Sequence, residues 1–522
     1  MSQISRAAKA LLSDIRCFSQ LVIRLPLRSY QLDPLHAILD SVLNRRGLEF
    51  LLIFPRQTGK NEAVAQLLAY LLNITQRAGG NIIYAATGNG LGMGIERLED
   101  RLDNAWNRGA WTKKTKPARR CLGNAAVVFL SSHPSAATRG QTAHWLLVLD
   151  ETQDQDGPHC EAVFTPMRAA NNATAVYIGT VKLTTDYLWT KKQELERETQ
   201  RDGIRRVFLV QPETVIKENP AYQHFLNAQV RKHGRHHPIV ASEYYLEPID
   251  GAGGLFHQRR RLLMHGSHPR QAEPITGELY AATLDAAGED EQSTDPLAQL
   301  ANPGRDYTVA TIFRVIFPAP GHYAPGPTYE AVDVFIDHGS KHFQNVPGQP
   351  ALVNRLAAWL DAWQVAHLVS DESGVGLGLT SWLAAALGPH RVTGYNFAGT
   401  GKKAALGSLF LSLIETGRFK YWTGDQDTPA SDGWWFWQQV TSCTYELPPD
   451  GRFDRDLKWS VPTNHKTDTP NGPQPTHDDR LLSAALVAEL DRLIRTGAAI
   501  LGTAASRVIH AVDPLARENL SF

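Results

Sequence analysis

Cysteine is scarce in this chain. Of 522 residues only Cys17, Cys121, Cys160 and Cys443 are cysteines, far apart and never in a CxxC pair. That argues against a disulfide framework and a zinc site, and it predicts a reducing cytoplasm as the setting. An excess of either charge is also missing, since 53 basic residues cancel 53 acidic ones. Affinity for a polyanion must then come from local patches and not from a global field. Long apolar runs are absent too. Stretches such as Leu146–Leu149 are far too short to span a bilayer, and polar residues interrupt the N-terminus where a signal peptide needs an unbroken apolar core. Neither export nor membrane anchoring is expected.

What the chain does have is 43% hydrophobic content over 522 residues, enough for a large core, better split over two domains than packed into one. From Gln31 to Leu246 short apolar runs alternate with helical patterns. Leu48–Phe54, Asn81–Ala86, Ala125–Leu130, Trp145–Leu149, Ala173–Ile178 and Ile204–Val210 all read as strands. Alternation at this spacing predicts a mostly parallel sheet with helices on both faces, an α/β fold.

After the first strand comes Arg56-Gln57-Thr58-Gly59-Lys60-Asn61, then the helical stretch Ala63–Leu72. In a strand, phosphate loop and helix of this kind, backbone N–H groups cradle phosphates and Lys60 reaches the β and γ oxygens. The pattern G-x-x-x-x-G-K-[ST] is imperfect here: Phe54 stands for its first glycine, and Asn61 stands where a hydroxyl normally meets magnesium. Alone, a plain turn competes evenly with a phosphate loop. The strand Trp145–Leu149 changes that balance by ending in Asp150-Glu151, where Asp150 would hold Mg²⁺ and Glu151 would polarise the attacking water. Gly179-Thr180, at another strand end, could sense the γ-phosphate, with a simple glycine turn as the competing reading.

Tyr30 and Gln31 precede the first helix, where a ring and an amide could meet an adenine base; a helix start is the plainer reading. Arg139 could present a guanidinium to transition-state charge, or be a surface arginine beside a turn, and Arg56 is its rival within the loop.

After Glu247 the pattern changes. The glycine-rich break Asp250–Gly254 and the basic run holding Arg259, Arg260, Arg261 and Arg270 read as a linker, either solvated or facing a DNA channel. Lys113, Lys114, Lys116, Arg119 and Arg120 form a second, weaker basic cluster. The expected organisation is an extension at 1–29, an ATPase domain at 30–250, a basic linker at 251–275, a nuclease domain at 276–497 and a tail at 498–522 without a legible motif.

From Leu279 the order is three strands (Leu279–Leu284, Thr308–Val315, Tyr329–Ile336), a helix (Leu352–Trp363) and a fourth strand (His367–Ser370), the order of a ribonuclease H-like fold. The first and fourth strands of such a fold lie side by side, so Asp285 and Asp371 would come together. A helix opening at Asp478-Asp479 would add a third carboxylate from above. Converging carboxylates repel unless cations sit between them, and two Mg²⁺ or Mn²⁺ ions about 4 Å apart would also clamp the attacking and leaving oxygens of a phosphodiester. Each aspartate alone has an ordinary explanation as a helix start, a turn or a strand end; their order across one fold favours the site. Asp306, Glu289, Glu372 and His477 rank lower. The aromatic segment Tyr421–Val440, with Trp422, Trp434, Trp435 and Trp437, reads as packing in preference to base stacking.

Taken in order, Tyr30-Gln31, Arg56–Lys60, Leu147–Glu151, Gly179-Thr180, Asp285, Asp371 and His477–Asp479 resemble the large terminase subunit of tailed bacteriophages. Gly394–Phe397 with Lys402 and Lys403, and Glu415–Arg418, resemble that family more loosely. The resemblance implies an ATPase and metal-dependent endonuclease that packages double-stranded DNA. It implies a pentameric ring on the portal protein of a procapsid in the host cytoplasm, with a small terminase subunit choosing the DNA. It leaves open whether Asp478 or Asp479 is the metal ligand, and whether Asn61 meets magnesium directly or through water. A helicase or repair nuclease on the same ATP fold, and a non-catalytic prophage remnant binding DNA or portal, are the competing readings. The first requires a second motor domain, where the sequence instead shows a nuclease pattern.

Overall fold

The computed structural model describes residues 11–136, 138, 140–288, 306–319, 321, 324–424, 431–448, 451–470 and 472–499. The chain divides into two compact units: residues 1–228 with 238–251, and residues 229–237 with 252–522. Among the described residues no helix is long and apolar enough to cross a membrane.

The first unit is built on one sheet. Its strands are β1 (Glu49–Ile53), β2 (Gly80–Ala86), β3 (Trp111–Thr115), β4 (Ala118–Leu122), β5 (Ala125–Ser131), β6 (Leu146–Leu149), β7 (Thr174–Gly179) and β8 (Val207–Leu209), in the order β3-β4-β5-β2-β6-β7-β1-β8. From β5 to β8 all pairings are parallel; β3, β4 and β5 form an antiparallel meander at one edge. Because side chains alternate across a strand, the apolar runs feed two cores. Phe50, Leu52, Tyr84, Val148 and Ile178 point into one, and Leu51, Ile53, Ala85, Leu149 and Tyr177 into the other. The helix Lys60–Thr75 is apolar nearly all round and packs into the first core with Val64, Leu67, Leu68 and Leu71. Ile15 and Phe18, from the expected N-terminal extension, are buried in that same core.

All six strands expected here are present. The β3–β4 hairpin is an addition, formed where the sequence reads as a basic cluster. Lys113, Lys114 and Lys116 are exposed on it, while Arg120 is buried against Glu99 at 2.6 Å.

The second unit begins its strands with β9 (Ala252–Gly254), β10 (His265–Pro269), β11 (Tyr280–Asp285), β12 (Thr308–Ile316), β13 (Thr328–Asp337), β14 (Leu368–Asp371) and β15 (Val392–Tyr395). They continue with β16 (Phe419–Thr423), β17 (Thr444–Glu446), β18 (Lys458–Ser460), β19 (Lys466–Thr469) and β20 (Gly472–Pro475). The main sheet runs β10-β16-β13-β12-β11-β14-β15. Within it β13-β12-β11 pair antiparallel and β11-β14-β15 parallel, which is the ribonuclease H-like arrangement expected from the sequence. β16 and β10 extend it in parallel beyond β13. The aromatic segment packs as expected: Tyr421 stacks on Trp422 at 4.0 Å and on Phe436 at 3.7 Å, and Trp422 is fully buried.

Where the sequence reads a linker at 251–275, the structure instead forms β9, the helix Gln258–Met264 and β10. The charges explain the difference. The Glu415 side chain is fully buried and needs a counter-charge, which Arg259 and Arg260 supply at 2.9 Å each. Arg270 likewise pairs with Asp333 at 2.9 Å and Asp432 at 3.1 Å. Tail residues 500–522 lie outside the described residues.

Candidate functional sites

The loop between β1 and the helix Lys60–Thr75 is held by its carbonyls. Thr58 Oγ1 donates to Pro55 O at 2.7 Å, Tyr222 OH to Arg56 O at 3.1 Å, Tyr30 OH to Thr58 O at 2.9 Å and Gln31 Nε2 to Gly59 O at 2.8 Å. Arg56 N already donates to Glu243 O at 2.9 Å and Ala63 N to Gly59 O at 3.0 Å, which leaves the amides between them as the donors an anion could meet. Gly59 has a φ of +87°, and a Cβ there would lie 2.5 Å from Gln31 Nε2, so the position requires glycine. Tyr30 is buried with its ring edge-on to Phe54 at 5.9 Å, and Gln31 is buried as well. Both side chains therefore brace the loop, and Gln31 also caps the helix start by accepting the Arg28 amide at 2.9 Å, in line with the plainer reading of these two residues.

Lys60 opens the helix, and its Nζ lies 3.5 Å from Glu151 Oε2. Asp150, just past β6, is fully buried; its Oδ1 accepts the Glu151 amide at 2.8 Å and its Oδ2 accepts the Tyr84 hydroxyl. Glu151 takes a left-handed turn, φ +50°, and accepts Gln153 Nε2 at 2.7 Å. Gln153 Oε1 in turn accepts the Thr180 amide at 3.2 Å, and Thr180 Oγ1 donates to Phe54 O at 3.3 Å. A chain of contacts thus joins Lys60, Glu151, Gln153, Thr180 and the base of the loop.

Burial pushes the Asp150 carboxyl up, against the field of Lys60. Burial acts on Glu151 too, but Lys60, Gln153 and Arg56 outweigh it and hold that carboxyl below its usual range. Arg56 is exposed and pairs with Glu243 at 2.6 Å; Gln57 is exposed with a φ of +62°. Asn61 is the half-buried second residue of the helix. Arg139 lies outside the described residues.

The second site lies at the ends of β11 and β14. With Leu284 opposite Ser370, the next residues, Asp285 and Asp371, are the last of their strands and lie side by side. The helix Asp479–Ala485 packs against the same sheet, Ser483 bonding Thr311 at 2.9 Å, and begins with Asp479. Asp285, Asp371 and Asp479 are 8%, 7% and 3% exposed. Asp479 Oδ2 accepts the Tyr307 amide at 2.9 Å, Asp371 Oδ1 accepts the Ser373 amide at 2.8 Å, and Asp478 Oδ2 pairs with Lys403 Nζ at 3.2 Å.

All three buried carboxyls are raised. Asp285 is pushed well up by burial and by repulsion from Asp479, Asp371 and Asp478, with Lys403 opposing. Burial is the leading cause for Asp371 and for Asp479, the latter pushed up to about 8. These groups feel one another without closing into a cage: among the described residues no group of three or more His, Cys, Asp or Glu is placed to hold a metal ion. The donors themselves are hard carboxylate oxygens whose negative charge is only partly countered, which suits a hard divalent cation.

Glu372 lies against Gly394 on β15, His477 Nδ1 pairs with Asp306 at 2.9 Å, and Glu289 lies outside the described residues. Sequence reasoning missed Tyr84, Gln153 and Tyr307. Gln153, two residues past Glu151, carried the best available signal.

The chain is thus a mixed α/β protein whose first unit holds a strand, loop and helix of the phosphate-binding kind and whose second unit is ribonuclease H-like. No protein-family model and no curated protein matches the sequence. Solved structures do match. The crystal structure of the HK97 bacteriophage large terminase is 14% identical, with a TM-score of 0.38 over 92% of this chain and 99% of that one. A large terminase from a thermophilic bacteriophage is 10% identical, with a TM-score of 0.43 over 89% of this chain and 99% of that one. The large terminase nuclease from the thermophilic phage G20c with bound magnesium is 15% identical, with a TM-score of 0.30 over 45% of this chain and 96% of that one. At identities and TM-scores this low the likenesses carry no argument, and both fold and function have to be read from this chain's own residues.

Proposed function

We propose that the chain is the large subunit of a viral DNA-packaging terminase, an ATP-driven motor for double-stranded DNA that also cuts it. The observation that carries the reading is the presence in one chain of the Lys60–Glu151 pair beside a carbonyl-braced loop and of the facing Asp285 and Asp371 with Asp479. Folding alone asks for neither.

At the first site the loop amides and Lys60 bind the phosphates of ATP, and Glu151, oriented by Gln153, polarises the attacking water. Asp150 and Asn61 would hold Mg²⁺, which when bound neutralises phosphate charge. Thr180 reports on the γ-phosphate through Gln153, and Arg56 or Arg139 supplies a guanidinium. At the second site Asp285, Asp371 and Asp479 would hold Mg²⁺ or Mn²⁺, which supplies Lewis acidity for hydrolysis of a phosphodiester. Asp478 is engaged by Lys403. Assembly as a pentameric ring on a portal protein, with a small terminase subunit, belongs to the same reading.

Purified protein should cut plasmid DNA in Mn²⁺ and hydrolyse ATP. Asp285→Ala should abolish only the cutting, and Lys60→Ala only the hydrolysis. Absence of both activities from the wild-type protein, or loss of both in either folded variant, would overturn the reading.

A further inference from the structure

We infer that Tyr84 is a positioning residue for Asp150, fixing that carboxylate toward the cation it would hold, and that Gly94 is the gap that admits it. The inference rests on the ATPase reading of the first site and adds a residue that no motif singled out.

Tyr84 lies on β2 beside β6, with its ring 5.3 Å from Phe129 in the same core as Val148. It is 3% exposed. Packing alone would be served by phenylalanine, because a hydroxyl carried into a core is unfavourable unless it is hydrogen-bonded. The Tyr84 hydroxyl makes its bond to Asp150 Oδ2, and the Glu151 amide takes Oδ1. With one donor on each oxygen, the carboxylate plane is fixed and its remaining lone pairs have set directions. A carboxylate so clamped reaches a metal geometry without further ordering, which is the usual service of groups that hydrogen-bond a ligand from behind.

The covering helix, Gly88–Leu102, is shaped for this contact. A Cβ at Gly94 would lie 2.7 Å from Cε1, from Cζ and from the hydroxyl of Tyr84, so any larger residue would displace the ring end that holds Asp150. Gly92, two residues earlier, has nothing within 4 Å, so the close approach to Tyr84 belongs to position 94 and not to that neighbour. The same helix is tied to the phosphate-loop helix by Arg101 and Glu62 at 2.8 Å, which keeps Gly94 in place over the ring.

The test is a Mg²⁺ titration of wild-type protein, Tyr84→Phe and Gly94→Ala, read by binding of a fluorescent ADP and by ATP turnover. Without Mg²⁺, Tyr84→Phe should bind ADP within about twofold of wild type. The Mg²⁺ concentration for half-maximal tightening of ADP, and for half-maximal turnover, should rise at least about tenfold, with KM for ATP unchanged at saturating Mg²⁺. Gly94→Ala, which keeps the hydroxyl but moves it, should shift the Mg²⁺ curve in the same direction. An unshifted Mg²⁺ curve for Tyr84→Phe overturns the inference, as does a turnover loss that no Mg²⁺ concentration restores. If wild-type protein binds no nucleotide, the ATPase reading fails and this inference with it; if it binds and turns over while Tyr84→Phe overlays it, the inference alone fails.

Discussion

Lys403 Nζ lies 3.2 Å from Asp478 Oδ2, whereas Asp479, the next residue, turns its carboxylate to the Tyr307 amide at 2.9 Å. Two adjacent aspartates that sequence alone leaves equivalent are thereby given different partners. The Lys403 ammonium is 5.3 Å from the Trp459 ring, and Trp459 Nε1 donates to the Lys403 carbonyl at 2.8 Å, so the lysine is held from both ends.

Asp479→Ala should therefore abolish Mn²⁺-dependent cleavage, lowering the rate about a thousandfold or more. Asp478→Asn should cost no more than about ten- to a hundredfold, as for a residue that acts behind the ligands. Rates of plasmid nicking for the two variants check the assignment; equal losses would count against it.

Asp285 is buried among like charges, and its carboxyl is raised. A carboxyl raised in the folded state lowers stability once pH exceeds its unfolded value. Asp285→Asn should then raise the metal-free melting temperature at pH 8, by about 2–4 °C for each kcal/mol relieved. It should also lose most of the further rise that Mn²⁺ gives the wild type. Differential scanning fluorimetry with and without Mn²⁺ reads both effects.

Glu151→Gln should keep nucleotide binding while turnover falls about a hundred- to ten-thousandfold, because the amide preserves shape but cannot polarise water. Lys60→Ala should weaken nucleotide binding as well. Equilibrium binding of fluorescent ADP beside steady-state hydrolysis separates the two losses.

His237 is fully buried, bonded to the Ser408 carbonyl, and burial lowers it to about 3; neighbouring His233 is lowered to about 4, also by burial. Both are neutral in the fold and take up protons on unfolding below pH 6.5, so their contribution is fully present above 6.5 and is lost as pH falls toward 4 and 3. His237→Gln should flatten the fall in melting temperature between pH 6.5 and 5 relative to wild type. Comparing the variant with wild type isolates this from the raised carboxyls, whose effect has the opposite sign.

The strands were legible where apolar runs feed two cores, as in Leu48–Phe54 and Trp145–Leu149. β3 and β4 were not, since Lys113, Lys114 and Lys116 face solvent and leave no apolar alternation to read. β10, His-Gly-Ser-His-Pro, is an edge strand of polar residues and resembled a linker for the same reason. Asp150, Glu151, Asp285 and Asp371 could be found because each ends a readable strand. The roles of Tyr84, Tyr307 and Lys403 could not, because they depend on contacts between segments distant in the chain.

The pairing of β10 with β16 also bears on how the chain can be divided in the laboratory. A fragment beginning at residue 276 would lack His265–Pro269 and leave β16 with open amides and carbonyls, an invitation to intermolecular strand pairing. It would also leave the buried Glu415 without Arg259 and Arg260. A soluble, well-behaved second unit should therefore be sought in a fragment that starts before residue 252 and keeps the strand that looked like a connector.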